Sequence, residues 1–200
     1  MNKIITIGLT GGIGSGKTAA LRFIERRGVP VLQADVIGHQ LLREKKFIKI
    51  LTKKFGKAIL EKNGFVNRGK LAAIVFKDPQ KQKKLNTLVH PEIRKRIAKW
   101  VRSKSEKKLR MPVVVVEVPL LFERGYDQWF DKTLCISAQR ILRQNRLLKR
   151  GWSLEEIRRR ENFQWTQARK NKKADEVIFN QSSRKDLEYA VDQWLKKLEF

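Results

Sequence analysis

The sequence predicts an α/β fold in which helices cover both faces of a parallel β-sheet. Three observations carry that expectation. Five short apolar runs (residues 4–9, 29–32, 113–118, 133–136 and 177–179) alternate with segments of helical spacing, and that alternation is the signature of a parallel sheet with crossover helices. The third run contains four consecutive valines, Val113 to Val116. An unbroken apolar run of this length marks a strand buried on both faces. Finally, the first run leads straight into GGIGSGKT at residues 11–18, with a helix-compatible segment, 19–27, behind it. Strand, glycine-rich loop and helix in that order are the context a phosphate-binding loop requires.

Each element has a local cause. The glycines of residues 11–18 let the backbone curl so that N–H groups converge on an anion. The following helix adds the positive end of its dipole. That helix stops at Gly28-Val29-Pro30, since glycine and proline together punctuate a helix end. After the second run, Gln33-Ala34-Asp35 precedes a short helix at 36–43. Phe47, Ile50, Leu51 and Phe55 keep helical spacing up to Gly56. A further helix is expected at 67–76, closed by Asp78-Pro79, and a long one at 81–108, interrupted by Pro91. The helix at 138–150 ends at Gly151. The next begins at Ser153, which can cap it, with Glu156 completing a capping box. The last helix, 184–198, carries Leu187, Val191, Trp194, Leu195 and Leu198 on one stripe.

The chain has 200 residues, 41% hydrophobic, which suits one domain carrying inserted lobes. No run approaches the roughly 18 apolar residues that span a bilayer, and the single cysteine, Cys135, cannot form an internal disulfide. A cytoplasmic monomer without a membrane or a specific nucleic-acid partner is expected. Cys135 lies in an apolar run and reads as a buried strand residue. The net charge of +26 calls for anionic partners, and nucleotides, phosphorylated metabolites, nucleic acid and anionic membranes would all satisfy it. Residues 81–110 hold twelve Lys/Arg against two acids, and residues 137–173 twelve against three. Most of these are expected to be solvated helix faces.

Ligands of such sheets bind at the carboxyl ends of the strands, so the residues there are the candidates. In the loop, Lys17 supplies a cation for the outer phosphates of a nucleotide and the Thr18 hydroxyl a ligand for Mg²⁺. Asp35, just beyond the second strand, is suited either to accept a proton from an attacking hydroxyl or to cap the helix that follows. His39 stands one turn further along the same face. Glu117 ends the four-valine strand where a magnesium carboxylate would sit, with Glu123 as a second candidate. Arg140, Arg143, Arg146 and Arg150 recur at helical spacing and form a face able to grip polyphosphate.

Taken together, LTGGIGSGKT, QADVIGHQLL, RGKLAAIVFKDPQKQKKLNTLVHPEI, VVVEVPLLFE and QW…KKADEVIFNQSS resemble the dephospho-coenzyme A kinase family, collinearly over nearly the whole chain. The resemblance implies a three-layer P-loop NTPase fold with a five-stranded parallel sheet. It implies one domain, 1–200, with a helical acceptor lobe at about 36–110 and a helical lid at about 138–173 inserted in it. The implied reaction moves the γ-phosphoryl of ATP, with Mg²⁺, to the ribose 3′-hydroxyl of dephospho-CoA, giving coenzyme A and ADP. Nucleoside kinases of the same fold and nucleic-acid-binding P-loop proteins are the rival readings. By the resemblance, Asp35 and Lys17 are catalytic. Gly12, Ile13, Gly14, Ser15, Gly16, Lys17, Thr18, Ala19 and Arg140 are expected to bind ATP, Thr18 and Glu117 the metal, and Asp35, His39 and His90 the acceptor. The chain departs from the family at Gln33, where aspartate is usual, and at Ala19, where a second hydroxyl often follows the loop.

Overall fold

The four-valine strand lies inside the sheet, as its composition demands. The computed structural model describes residues 4–75, 78–106 and 111–198. Phe76, Lys107 and Lys108, at the expected ends of two helices, fall outside these. Five parallel strands are β1 (Ile5–Thr10), β2 (Val31–Gln33), β3 (Val113–Glu117), β4 (Lys132–Ser137) and β5 (Glu176–Phe179), in the order β2-β3-β1-β4-β5. Every residue of β3 is buried. The second strand begins two residues later than the apolar run suggested. Val29 is buried ahead of it, and the Pro30 carbonyl accepts a hydrogen bond from the Val115 N–H.

Two compact units make up the chain: one runs to Gln33 and resumes at Val101, and the other is Ala34–Trp100. The sheet belongs to the first. Its core joins Ile7, Leu9, Val113, Val115, Leu134 and Ile136 to Phe23 and Ile24 of α1 (Lys17–Arg26). The closing helix α9 (Arg184–Lys196) packs on α1 and β5, and its expected stripe is buried from Leu187 to Leu198. Three further helices precede β5: α6 (Arg140–Leu148), α7 (Leu154–Glu161) and α8 (Gln167–Lys173). The second unit holds α2 (Ala34–Leu41), α3 (Lys45–Phe55) and α4 (Arg68–Val75), and most of α5 (Pro79–Ser105).

Two local expectations are corrected. Pro91 does not interrupt its helix, because α5 runs unbroken through it. Proline removes one helical hydrogen bond, and the burial of Ile93 and Ile97 just beyond it offsets that loss. At α7 only half the capping box forms. The Ser153 hydroxyl accepts from the Glu156 N–H, but the Glu156 carboxylate turns to Arg160 at 2.9 Å. A complete box appears instead at Ser183 and Asp186, where α9 begins. Hydrogen bonds from Ser182 and Ser183 hold the Asp186 carboxyl below its ordinary pKa.

Candidate active site

The loop of residues 11–16 closes at the start of α1 without any side-chain cap. Gly16, at φ 100°, takes the left-handed conformation there; in the first turn the Ala19 N–H already donates to the Gly16 carbonyl at 3.0 Å, while the Thr18 N–H has no partner among the described residues and remains for an anion. A side chain at Gly16 would collide with the Asn180 carboxamide. The Lys17 ammonium lies 3.0 Å from the Gly11 carbonyl and 3.2 Å from that of Gly12, which keeps the cation over the loop. The Thr18 hydroxyl is exposed and makes no hydrogen bond among the described residues. Ala19, one residue deeper in the helix, is half-buried.

The α6–α8 segment holds the loop from outside. The Gln167 side-chain oxygen accepts from Gly12 N–H at 3.0 Å, and that of Gln164 from Ile13 N–H at 3.1 Å. The buried guanidinium of Arg143 donates to the Ile13 carbonyl at 3.1 Å and pairs with Glu161 at 3.0 Å. Asn180, directly after β5, donates to the Ser15 carbonyl at 2.8 Å and accepts from Arg146. Burial, seconded by Arg150, lowers the pKa of Arg146 below that of free arginine. Arg143 Nε and Arg146 Nη1 are buried without hydrogen-bond partners. The arginine in contact with the loop is thus Arg143. Arg140 is two-thirds exposed and pairs with Glu161 at 3.4 Å.

Glu117, the last residue of β3, is buried and stands in register with Leu9 beside the loop. Glu123 is not a second candidate for the metal. It forms a buried ion pair with Lys170 at 2.9 Å and accepts from the Trp165 N–H at 2.7 Å. Lys170 also donates to the Pro119 carbonyl at 2.6 Å and reaches the Thr10 hydroxyl at 3.4 Å. This knot binds the end of β1, the loop after β3, and α8. Trp165 stacks on Phe122 and lies under Arg169 at 3.5 Å, so the VPLLFE and QW segments meet in space. Burial holds the Lys170 pKa below the usual lysine value despite Glu123. The unfolded chain therefore binds more protons between the two values, and stability rises with pH across that window. Glu123→Gln strands the buried cation. It is expected to cost about 3–5 kcal/mol at neutral pH, as read from chemical denaturation, and the loss should shrink as pH rises toward the ordinary lysine range. Lys170→Met with Glu123→Gln should recover much of it.

Cys135 is buried, and burial raises its thiol to about 11 despite the Gln167 hydrogen bond. It is a packed strand residue, as its run suggested.

In the second unit Asp35 does not cap its helix. The helix starts at Ala34, one residue ahead, and the exposed Asp35 carboxylate makes no hydrogen bond or ion pair among the described residues. His39, also exposed, stands one turn on. Its pKa lies below the ordinary histidine value, chiefly through burial and then through Arg68, with Asp35 opposing and Arg43 assisting. His39 lines a cavity of about 610 Å³ with Arg43, Phe65 and Arg68, whereas His90 lines another of about 340 Å³ on α5. The two histidines are not brought together.

Gln164, Gln167, Asn180 and Lys170 escaped the sequence reading. Asn180 was findable, since it follows a strand at its carboxyl end. The glutamines carried no signal beyond their place in the QW segment.

A family model described as dephospho-CoA kinase matches residues 5–186. A dephospho-CoA kinase from Geobacillus kaustophilus is 39% identical over 189 residues, covering 91% of this chain and 90% of its own. One from Helicobacter pylori is 38% identical over 195 residues, covering 96% of each. Among solved structures, a Thermus thermophilus protein superposes with a TM-score of 0.85 at 36% identity, over 100% of both chains. A dephospho-CoA kinase from Campylobacter jejuni gives 0.70 at 28%, over 96% of both.

Proposed function

The chain belongs to the dephospho-CoA kinase family, and from that premise we propose that the phosphate loop, Lys17 and Asp35 divide the work of its reaction. The enzyme phosphorylates dephospho-CoA at the expense of ATP, yielding coenzyme A and ADP in coenzyme A synthesis. The observation that carries the assignment of roles is the loop itself, with its uncapped helix and its lysine held over the glycine carbonyls.

In this reading the amides of residues 14–18 cradle the ATP phosphates and Lys17 bridges the outer ones. Asp35, uncommitted to any cap, orients the ribose 3′-hydroxyl and takes its proton. Arg143 and Arg146, with donors buried and unpaired, neutralise charge on the transferring group; Arg140 is the outer member of that face. Little covalent chemistry is left to the protein, so positioning and charge stabilisation supply the rate. The residues also fit Mg²⁺. No cluster of three His, Cys, Asp or Glu able to hold a metal exists among the described residues, and a kinase magnesium needs only one or two protein oxygens beside the phosphates. Thr18 would hold the ion directly, with Glu117 behind it, and bound there it would draw charge from the phosphate oxygens.

The acceptor role is assigned to residues 36–110 and the lid to 138–173, on one domain; within the acceptor lobe, His39 and His90 are proposed to contact dephospho-CoA. Among the described residues no helix is long and apolar enough to cross a membrane. ADP release with dephospho-CoA, but not with nucleoside monophosphates, is the expected result of a coupled assay. Turnover of nucleoside monophosphates alone would shift the assignment to a nucleotide kinase.

A further inference from the structure

The acceptor differs from a plain nucleoside in carrying a 5′-diphosphate that joins adenosine to the pantetheine arm. An enzyme selecting it needs cations at a fixed distance from the group that receives the ribose hydroxyl. The second unit provides such an arrangement on residues contributed by two of its segments.

Asp35, His39 and Arg43 follow one another at four-residue intervals along α2 and the turn after it. Within α2 that spacing puts Asp35 and His39 on one face, about 6 Å apart along the axis, and Arg43, in the turn beyond, joins His39 in the lining of one cavity. The segment around residues 61–69 faces the far end of this row, and the cavity of about 610 Å³ lies between them, lined by His39, Arg43, Phe65 and Arg68. Neither Arg43 nor Arg68 has a hydrogen bond or carboxylate partner among the described residues. Their neighbour Arg96, by contrast, is committed to Glu44 at 2.7 Å and Glu92 at 3.3 Å. The one carboxylate in the cavity, Glu61, is taken by asparagines, with Asn63 at 3.3 Å and Asn67 at 3.2 Å on its two oxygens. Two guanidinia thus converge on a concave site while the acid that could neutralise them is turned to amides. His39 feels both cations, which push its pKa down.

We propose that Arg43 and Arg68, with His39, bind the 5′-diphosphate of dephospho-CoA and so select it over acceptors that lack it. The assignment rests on Asp35 receiving the 3′-hydroxyl. Guanidinium pairs grip phosphate bidentately, and His39 joins the face of Asp35 to the cavity that the two arginines line.

The test is steady-state kinetics on Arg68→Ala, Arg68→Gln and Arg43→Ala, with Lys49→Ala on α3 as a control of equal charge, since residues 34–100 carry eighteen Lys/Arg against five Asp/Glu. The KM for dephospho-CoA should rise at least tenfold in each arginine variant, with the KM for ATP within twofold of the parent. Preference for dephospho-CoA over adenosine, as the ratio of kcat/KM values, should fall by a similar factor. Calorimetric binding of dephospho-CoA alone should weaken in parallel. The arginines are exposed, and circular dichroism checks that each variant folds. An equal rise in Lys49→Ala would assign the effect to the diffuse charge of the unit and overturn the site. An unchanged KM in the arginine variants, with Asp35→Asn inactive, would overturn the diphosphate site and leave the role of Asp35 standing. A fully active Asp35→Asn would instead remove the premise.

Discussion

Lys17→Ala is expected to reduce kcat/KM by about 10³-fold or more, on the scale set by losing a charged donor aimed at a developing oxyanion, while the protein stays folded. The ammonium donates to two glycine carbonyls of the loop, at 3.0 and 3.2 Å, and is only half-buried. Water can take its place at the two carbonyls it leaves, and the melting temperature should move little. The cost falls on the outer phosphates, whose charge grows and spreads as the phosphoryl group leaves. Single-turnover phosphoryl transfer, with a thermal melt on the same sample, checks both halves. A variant retaining a tenth of the parent activity would remove Lys17 from the mechanism.

Asp35→Asn should lower kcat by about 10²–10⁴-fold, the usual contribution of a positioned base, and leave ATP affinity almost untouched. The substitution keeps the shape of the side chain and removes its ability to take a proton. The carboxylate is exposed and makes no hydrogen bond among the described residues, and the helix starts without it, so stability gives it little reason to be acidic. Calorimetric titration with ATP, set beside kcat at saturating dephospho-CoA, separates the two effects. A near-normal kcat would reduce Asp35 to a helix-dipole residue on the first turn of α2.

What could be read in the chain depended on the range of the forces involved. The five strands were legible because their signal is local: a run of valines has no stable place except between two layers of helices, and β3 is buried throughout. The glycine loop was legible for the same reason. Partner choice was not. Glu123 is itself the second magnesium candidate of the sequence and Glu156 itself the expected half of a capping box, yet Lys170 and Arg160 claim them. Those competitors are 47 and four residues away in sequence, and only the fold decides which wins. Pro91 shows the same override, since α5 stays unbroken through it with Ile93 and Ile97 buried two and six residues on. Among four arginines at helical spacing, the pattern could not say which is buried; Arg143 is, because its side of α6 meets the loop.

The knot at Lys170 has a mechanical consequence. The stretch from Gln164 to Lys170 is tethered to the sheet by a charge that cannot leave its pocket without stranding Glu123, and by two glutamines that grip the loop backbone. The segment proposed as a lid is thus pinned to the glycine loop twice, by Arg143 on α6 and by Gln164 and Gln167 at the start of α8. Any opening of it must first break one of those two sets of contacts.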